Sequence, residues 1–223
     1  KIWSQVLKAF EKGGFEKNGG PEATVAAEAQ FRLMEPDYGR LMGTKLVPKP
    51  SLRGQRQMAD LQKQVIAMID VINGPEKKKK DAATGETVLV RGGGLYDRYY
   101  EQVASYASQN WSYAAFLHRA QMLQYFARTI YAAPTPPDLE PEEEEAYLEI
   151  LEQFGSQYEN KAMKDLEIAL RDAEAKGVVN DWVTELRKAI NKYKPAEYPL
   201  LKDARRMVAD PVGVMPAAEK ELR

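Results

Sequence analysis

Tyr147, Leu151, Phe154, Tyr158, Ala162, Leu166, Ala169 and Ala173 recur every three or four residues, which places them on one face of an α-helix. The stripe lasts about 27 residues with Gly155 as its only weak point, so it predicts one long helix rather than two. Such a stripe has to be buried by other elements, and the surrounding sequence offers helices and no convincing strand pattern.

The stretch leading into it, APTPPDLEPEEEE at 133–145, bears on whether the chain is one unit or two. The residue before a proline avoids helical backbone, so the helix upstream ends before Pro134. The turn that follows is about eight residues long and stiffened by prolines, too short and rigid for a tether between domains. Pro141 suits the first turn of the long helix, where its missing N–H costs nothing. Glu142 to Glu145 then meet the positive end of the helix dipole, worth roughly 0.3–1 kcal/mol per favourable group before their mutual repulsion. Adjacent helical glutamates point in different directions, unlike the curled, oxygen-rich loop of a calcium site. The stretch is expected to be a rigid joint, which makes residues 1–202 one domain and leaves 203–223 as a C-terminal extension.

The other helices follow from the same period. Ile2, Trp3, Val6, Leu7 and Phe10 form a stripe ended by Gly13-Gly14. A second helix opens at Pro21 and carries Ala23, Ala26, Ala27 and Ala29, small enough to let a neighbour approach closely. Pro36 is expected to break or kink it, with Asp37 capping a short continuation through Leu41 and Met42. Ser51 is the expected cap of a third helix with Met58, Leu61, Val65, Met68, Ile69 and Ile72 on one face. Asn73-Gly74-Pro75 stops it. Tyr96, Tyr99, Tyr100, Val103 and Tyr106 suit another helix. Asn110 is expected to cap the next, which carries Trp111, Ala114, Leu117, His118, Met122, Tyr125, Phe126 and Ile130. After the long helix Gly177 is a stop, and Asp181 is expected to cap a last helix through Trp182, Leu186, Ala189, Ile190 and Tyr193. The whole predicts an all-α fold of about seven or eight helices, antiparallel where connections are short. Residues 74–94 interrupt it with an exposed, charged and then glycine-rich insertion, either a short β excursion or a disordered loop.

Charge excludes one class of partner: 32 Lys and Arg against 33 Asp and Glu leave no basic field for a nucleic-acid backbone. No apolar run approaches the roughly 18 residues that span a bilayer. The chain opens on KIWSQ without Met or an apolar leader, which reads as a processed or excised segment, so any targeting signal lies outside it. Cysteine is absent, and with it disulfides, thiolate nucleophiles and cysteine metal sites.

Catalytic patterns find little to rest on. The chain has one histidine, His118, set among Phe116, Leu117, Met122 and Tyr125 in an amphipathic helix, where a packing or groove-lining role is expected. Ala115 stands three residues before it, so no Glu-x-x-His metal motif exists there. RGGGLYDR at 91–98 lacks the ending of a phosphate-binding P-loop and reads as a hinge. The four lysines of 77–80 could touch acidic lipid or RNA but suit a solvated loop better. NWS at 110–112 matches a glycosylation sequon but falls at a helix start. The expectation is therefore no enzyme, no cofactor and no metal, with two distant carboxylates meeting in a groove as the alternative.

AAFLHRAQMLQYFA at 114–127, with Ala120 at the small position, resembles the first helix of a tetratricopeptide (TPR) repeat. NKAMKDLEIALRDAEAKG at 160–177 resembles a second helix, and WVTELRKAINKYKP at 182–195 repeats its spacing and ends in Pro. The family's period of about 34 residues does not hold and the long helix overruns the usual length, so the likeness is to degenerate repeats. From AAEAQFRLMEPDYGRLMGTKL through GVVNDWVTELRKAINKYKPAEYPLL, roughly residues 20 to 202, the chain resembles a segment of long TPR proteins of the gram-negative cell envelope, gliding-motility scaffolds among them. The resemblance implies a periplasmic or envelope-associated α-solenoid cut from a longer chain, with 203–223 part of a following repeat. It implies a protein or peptide partner and no catalytic residue. On the first helix of a pair, the polar positions that would face such a partner are Gln121, Gln124 and Arg128, with Tyr125 at the edge.

Overall fold

The computed structural model describes residues 1–80 and 87–200. Among them are α1 (Ile2–Lys12), α2 (Pro21–Gly43), α3 (Gly54–Asn73), α4 (Leu95–Arg98), α5 (Gln109–Tyr131), α6 (Pro141–Ala175) and α7 (Asp181–Asn191). One antiparallel hairpin, β1 (Glu76–Lys80) and β2 (Thr87–Arg91), stands between α3 and α4, the first of the two alternatives open for the insertion. The described chain is otherwise all-α. The C-terminal extension at 203–223 lies outside the described residues.

The elements gather around α5, which buries eleven residues spread over its circumference. A helix apolar on nearly all sides is stable only when neighbours cover it all round. α6 runs antiparallel to it: Tyr113 donates to Asp172 near one end (2.9 Å), and Phe126 packs on Phe154 and Tyr158 near the other. α7 folds back along α6, where Arg187 pairs with Glu174 and Lys194 with Glu167. α2 covers the opposite side and runs in the same direction as α5. Phe31 meets Trp111 and His118, Tyr38 meets His118 and Gln121, and Thr44 meets Tyr125, so position rises together on both helices. Ala23, Ala26, Ala27 and Ala29 are fully packed, as their size predicts.

Pro36 does not break α2, which continues to Gly43. Pro36 itself is exposed, while Met34 and Leu41 on either side are buried. Packing along the whole helix offsets a local cost of about 3 kcal/mol. Asp37 accordingly caps nothing and instead pairs with Arg40 and Arg98. Three expected caps shift. Arg53, not Ser51, is the residue before α3. Ser108 precedes α5, which places Asn110 inside the first turn. Asn180 caps α7 by accepting from the Val183 N–H (2.8 Å), and Asp181 takes the first helical position. α7 ends at Asn191, so Tyr193 lies in the turn beyond it.

The joint between α5 and α6 is held from both sides. Tyr147 donates to the Pro134 carbonyl (3.2 Å), the Gly54 N–H at the start of α3 donates to Pro137 (3.1 Å), and Pro136 is buried. At its far end Glu140 and Glu143 form a reciprocal capping box at the start of α6, which then runs unbroken for 35 residues. Between α4 and α5 the chain makes a π-helical turn (Tyr99–Val103) and a 3₁₀ turn (Ala104–Tyr106). The wider turn changes the angular register: Tyr96, Tyr99, Val103 and Tyr106 point inward, while Tyr100, expected on the same face, is 56 % exposed.

The hairpin leaves and rejoins the helices through a crossing of two backbones. A Cβ on Gly94 would overlap the Gly74 nitrogen and the Ile72 carbonyl, and one on Gly74 (φ 84°) would overlap the Gly92 carbonyl. Gly94→Ala is therefore expected to destabilise the protein by about 2–4 kcal/mol in urea titration, because backbone has to move. Gly39 in α2 has open space where its Cβ would be, and Gly39→Ala is expected to stabilise by roughly 0.5–1 kcal/mol in the same measurement.

Candidate functional site

His118 stacks on Tyr38 with ring centroids 4.0 Å apart, meets Tyr99 edge-on at 5.4 Å and lies 4.6 Å from Phe31. Its Nδ1 is 3.1 Å from the Tyr99 hydroxyl. Burial disfavours the imidazolium and lowers its pKa to about 4. Burial also pushes the Tyr38 hydroxyl up to about 12 and that of Tyr99 well above the usual range. A neutral imidazole between two protonated phenols is a packing arrangement, set by the burial of α5 rather than by an amphipathic face.

The four residues expected to face a partner fall on one side of α5, and most of that side is already engaged. Gln121 accepts from the Tyr38 hydroxyl (2.8 Å), and Tyr125 donates to the Thr44 carbonyl (2.8 Å), so both tie α5 to α2. Gln124 is half-buried, with its Nε2 enclosed and unpartnered. Arg128 is exposed, its Nε 3.4 Å from the Gln124 carbonyl.

Two surface hollows flank the α5–α6 pair. The first, about 700 Å³, lies between the 100–107 segment, α5 and α6. It brings together two acids one heptad apart on α6: Asp165 accepts from Tyr96 (2.6 Å), and Asp172 from Tyr113 (2.9 Å) and Lys176 (2.8 Å). The bond from Lys176 above all, aided by that from Tyr113, holds Asp172 below the usual carboxylate range. A general acid needs the reverse shift. Arg119 lies over the Tyr96 ring at 3.9 Å, a cation–π contact that closes the inner wall.

The second hollow, about 360 Å³, is an apolar groove lined by Met58, Ile66 and Ile69 of α3, Ile130 of α5, and Ile150 and Phe154 of α6. Ile150 is 61 % and Ile66 42 % exposed. Ile66 and Ile150 sit just off the buried stripes of their helices. Apolar residues flanking a stripe are the sequence signal for this groove, and the pattern of the stripes alone passes over them. Among the described residues no group of three or more His, Asp or Glu is placed to hold a metal ion. Comparison with family models, with curated proteins and with solved structures yielded no match.

The buried imidazole gives a pH test. Below about pH 6.5 the unfolded chain takes up a proton at His118 that the folded chain refuses down to about pH 4. The native state therefore loses stability as pH falls through that window, by up to roughly 3 kcal/mol. Urea midpoints between pH 7 and 4.5 are expected to fall less for His118→Phe than for the unaltered chain.

Proposed function

We propose that this chain is a non-catalytic scaffold that holds a protein or peptide partner, a TPR-like segment of a larger cell-envelope assembly. The apolar groove between α3 and α6 carries the reading. Exposed Ile66 and Ile150 with the recessed Met58, Ile69 and Phe154 form a concave apolar strip, the shape that accepts the apolar face of an amphipathic helix. The face of Gln121, Gln124, Tyr125 and Arg128 is the second candidate surface, weaker because Gln121 and Tyr125 are already bonded to α2. Solenoid stacking against neighbouring repeats, a periplasmic or envelope location and a tie to motility rest on the sequence resemblance. The alternative, a ligand-binding or carboxylate-based enzymatic module, would use the hollow at Asp165 and Asp172, and the lowered pKa of Asp172 weighs against it.

Affinity capture from source cell envelopes tests the reading. The unaltered chain is expected to retain a specific partner that Ile66→Glu/Ile150→Glu loses, since a charge on each wall has to be desolvated on binding. Both positions are exposed, so each substitution is expected to cost no more than about 0.5 kcal/mol of stability. Loss in Arg128→Ala but not in the groove variant would move the site to α5. No specific partner for any of them would overturn the scaffold reading.

A further inference from the structure

Every residue of β1 is exposed, as are Thr87 to Val90 of β2, so the hairpin buries nothing that the helical core requires. Two strands alone are marginal in water, and this pair is held at its root instead. Arg91 pairs with Asp70 and Glu76 and donates to the Gly74 carbonyl (3.2 Å). The strands differ sharply. β1 is a glutamate followed by four lysines, and β2 is Thr-Val-Leu-Val-Arg. The register sets Lys77 opposite Val90, Lys78 opposite Leu89, Lys79 opposite Val88 and Lys80 opposite Thr87, so no acid faces any of the four across the ladder. Glu76 is opposite Arg91 and bonded to it. Among the described residues the sheet has only these two strands, which leaves the outer edge of β1 with unpaired main-chain donors and acceptors.

From this geometry we infer that the outer edge of β1 is a docking site for an acidic, extended polypeptide segment, which adds to it as a third strand. Side chains alternate between the two faces of a strand, so Lys77 and Lys79 project from one face and Lys78 and Lys80 from the other. A flat anionic surface or a phosphate backbone lying on the hairpin would meet only one of these pairs. A strand added alongside β1 meets both, because its own side chains alternate in step, and consecutive glutamates then place a carboxylate beside each lysine. Lysines along an open edge repel apolar and basic strands, so the same residues that guard this edge select an acidic occupant. None of the hairpin residues lines the apolar groove between α3 and α6, so the two surfaces are independent.

The probe is a capped octapeptide, Thr-Val-Glu-Glu-Glu-Glu-Val-Thr, titrated against the intact chain by fluorescence anisotropy at low and high salt. A second form N-methylated at alternate residues keeps the charge but cannot complete a ladder. The chain is expected to bind the parent peptide in a salt-sensitive manner. The N-methylated form, and the variant Lys77→Ser/Lys78→Ser/Lys79→Ser/Lys80→Ser, are each expected to bind at least about tenfold more weakly. The helical circular dichroism and melting of that variant are expected to match the unaltered chain, because the altered side chains are all exposed. Equal binding of the two peptide forms, or of the chain and its serine variant, would overturn the proposal. So would tighter, lysine-dependent binding to phosphatidylserine vesicles or to oligouridine, which would assign the edge to a lipid surface or to RNA.

Discussion

α5 is buried nearly all round, and the remaining helices are arranged by the need to cover it. α6 and α7 close one side and α2 the other, with the 95–106 segment completing the shell. That constraint also governs the polar side chains α5 carries. Inside a packed shell a polar group is costly unless it finds a partner or stacks on a ring, and on α5 only Gln124 Nε2 and Arg119 Nε are enclosed without a hydrogen bond among the described residues. His118 is therefore stacked on Tyr38, Gln121 bonded to the Tyr38 hydroxyl, and Arg119 laid over Tyr96. Burial keeps the imidazole neutral and the phenols protonated, so the most chemically suggestive residues of the sequence are spent on packing.

The proline-rich joint decides where an open apolar surface can form. By turning α6 back along α5 within nine residues, Ala132 to Glu140, it places the start of α6 beside the end of α5. The Gly54–Pro137 hydrogen bond brings the start of α3 to the same corner. α3 and α6 then line a groove with Ile130 between them. Neither helix presents enough apolar surface alone, and the groove exists because one short turn is tied to a third helix.

Much of the helical framework was legible in the residues. The stripe from Tyr147 to Ala173 predicted one long helix, and Asn73-Gly74 and Gly177 marked stops that the backbone obeys with left-handed glycines. The caps lie one or two residues from the expected Ser51, Asn110 and Asp181, because Ser, Asn and Asp have nearly equal capping propensity and packing, which also starts α3 after Arg53, fixes where each helix begins. Pro36 departs from its local propensity for a related reason: the buried residues on both sides of it outweigh the lost hydrogen bond. At the candidate site, polar positions on α5 were legible as one face. Their engagement by α2 was not, because Tyr38 and Thr44 lie some eighty residues away in sequence.

By itself, then, the sequence determined the all-α class, the order and approximate bounds of the helices, the short turn between α5 and α6 and the exposure of the lysine strand. Each of these is set by interactions within a few residues, by periodicity, turn chemistry and charge, and so can be read from neighbours along the chain. The tertiary structure alone decided that α2 and α5 run in the same direction and that Gln121 and Tyr125 are occupied. It also left Ile66 and Ile150 uncovered on facing helices and paired the lysine strand with an apolar one. Those outcomes depend on which distant surfaces meet, and helices with similar stripes can pack in several arrangements. The choice among them is made by shape and volume across the whole core.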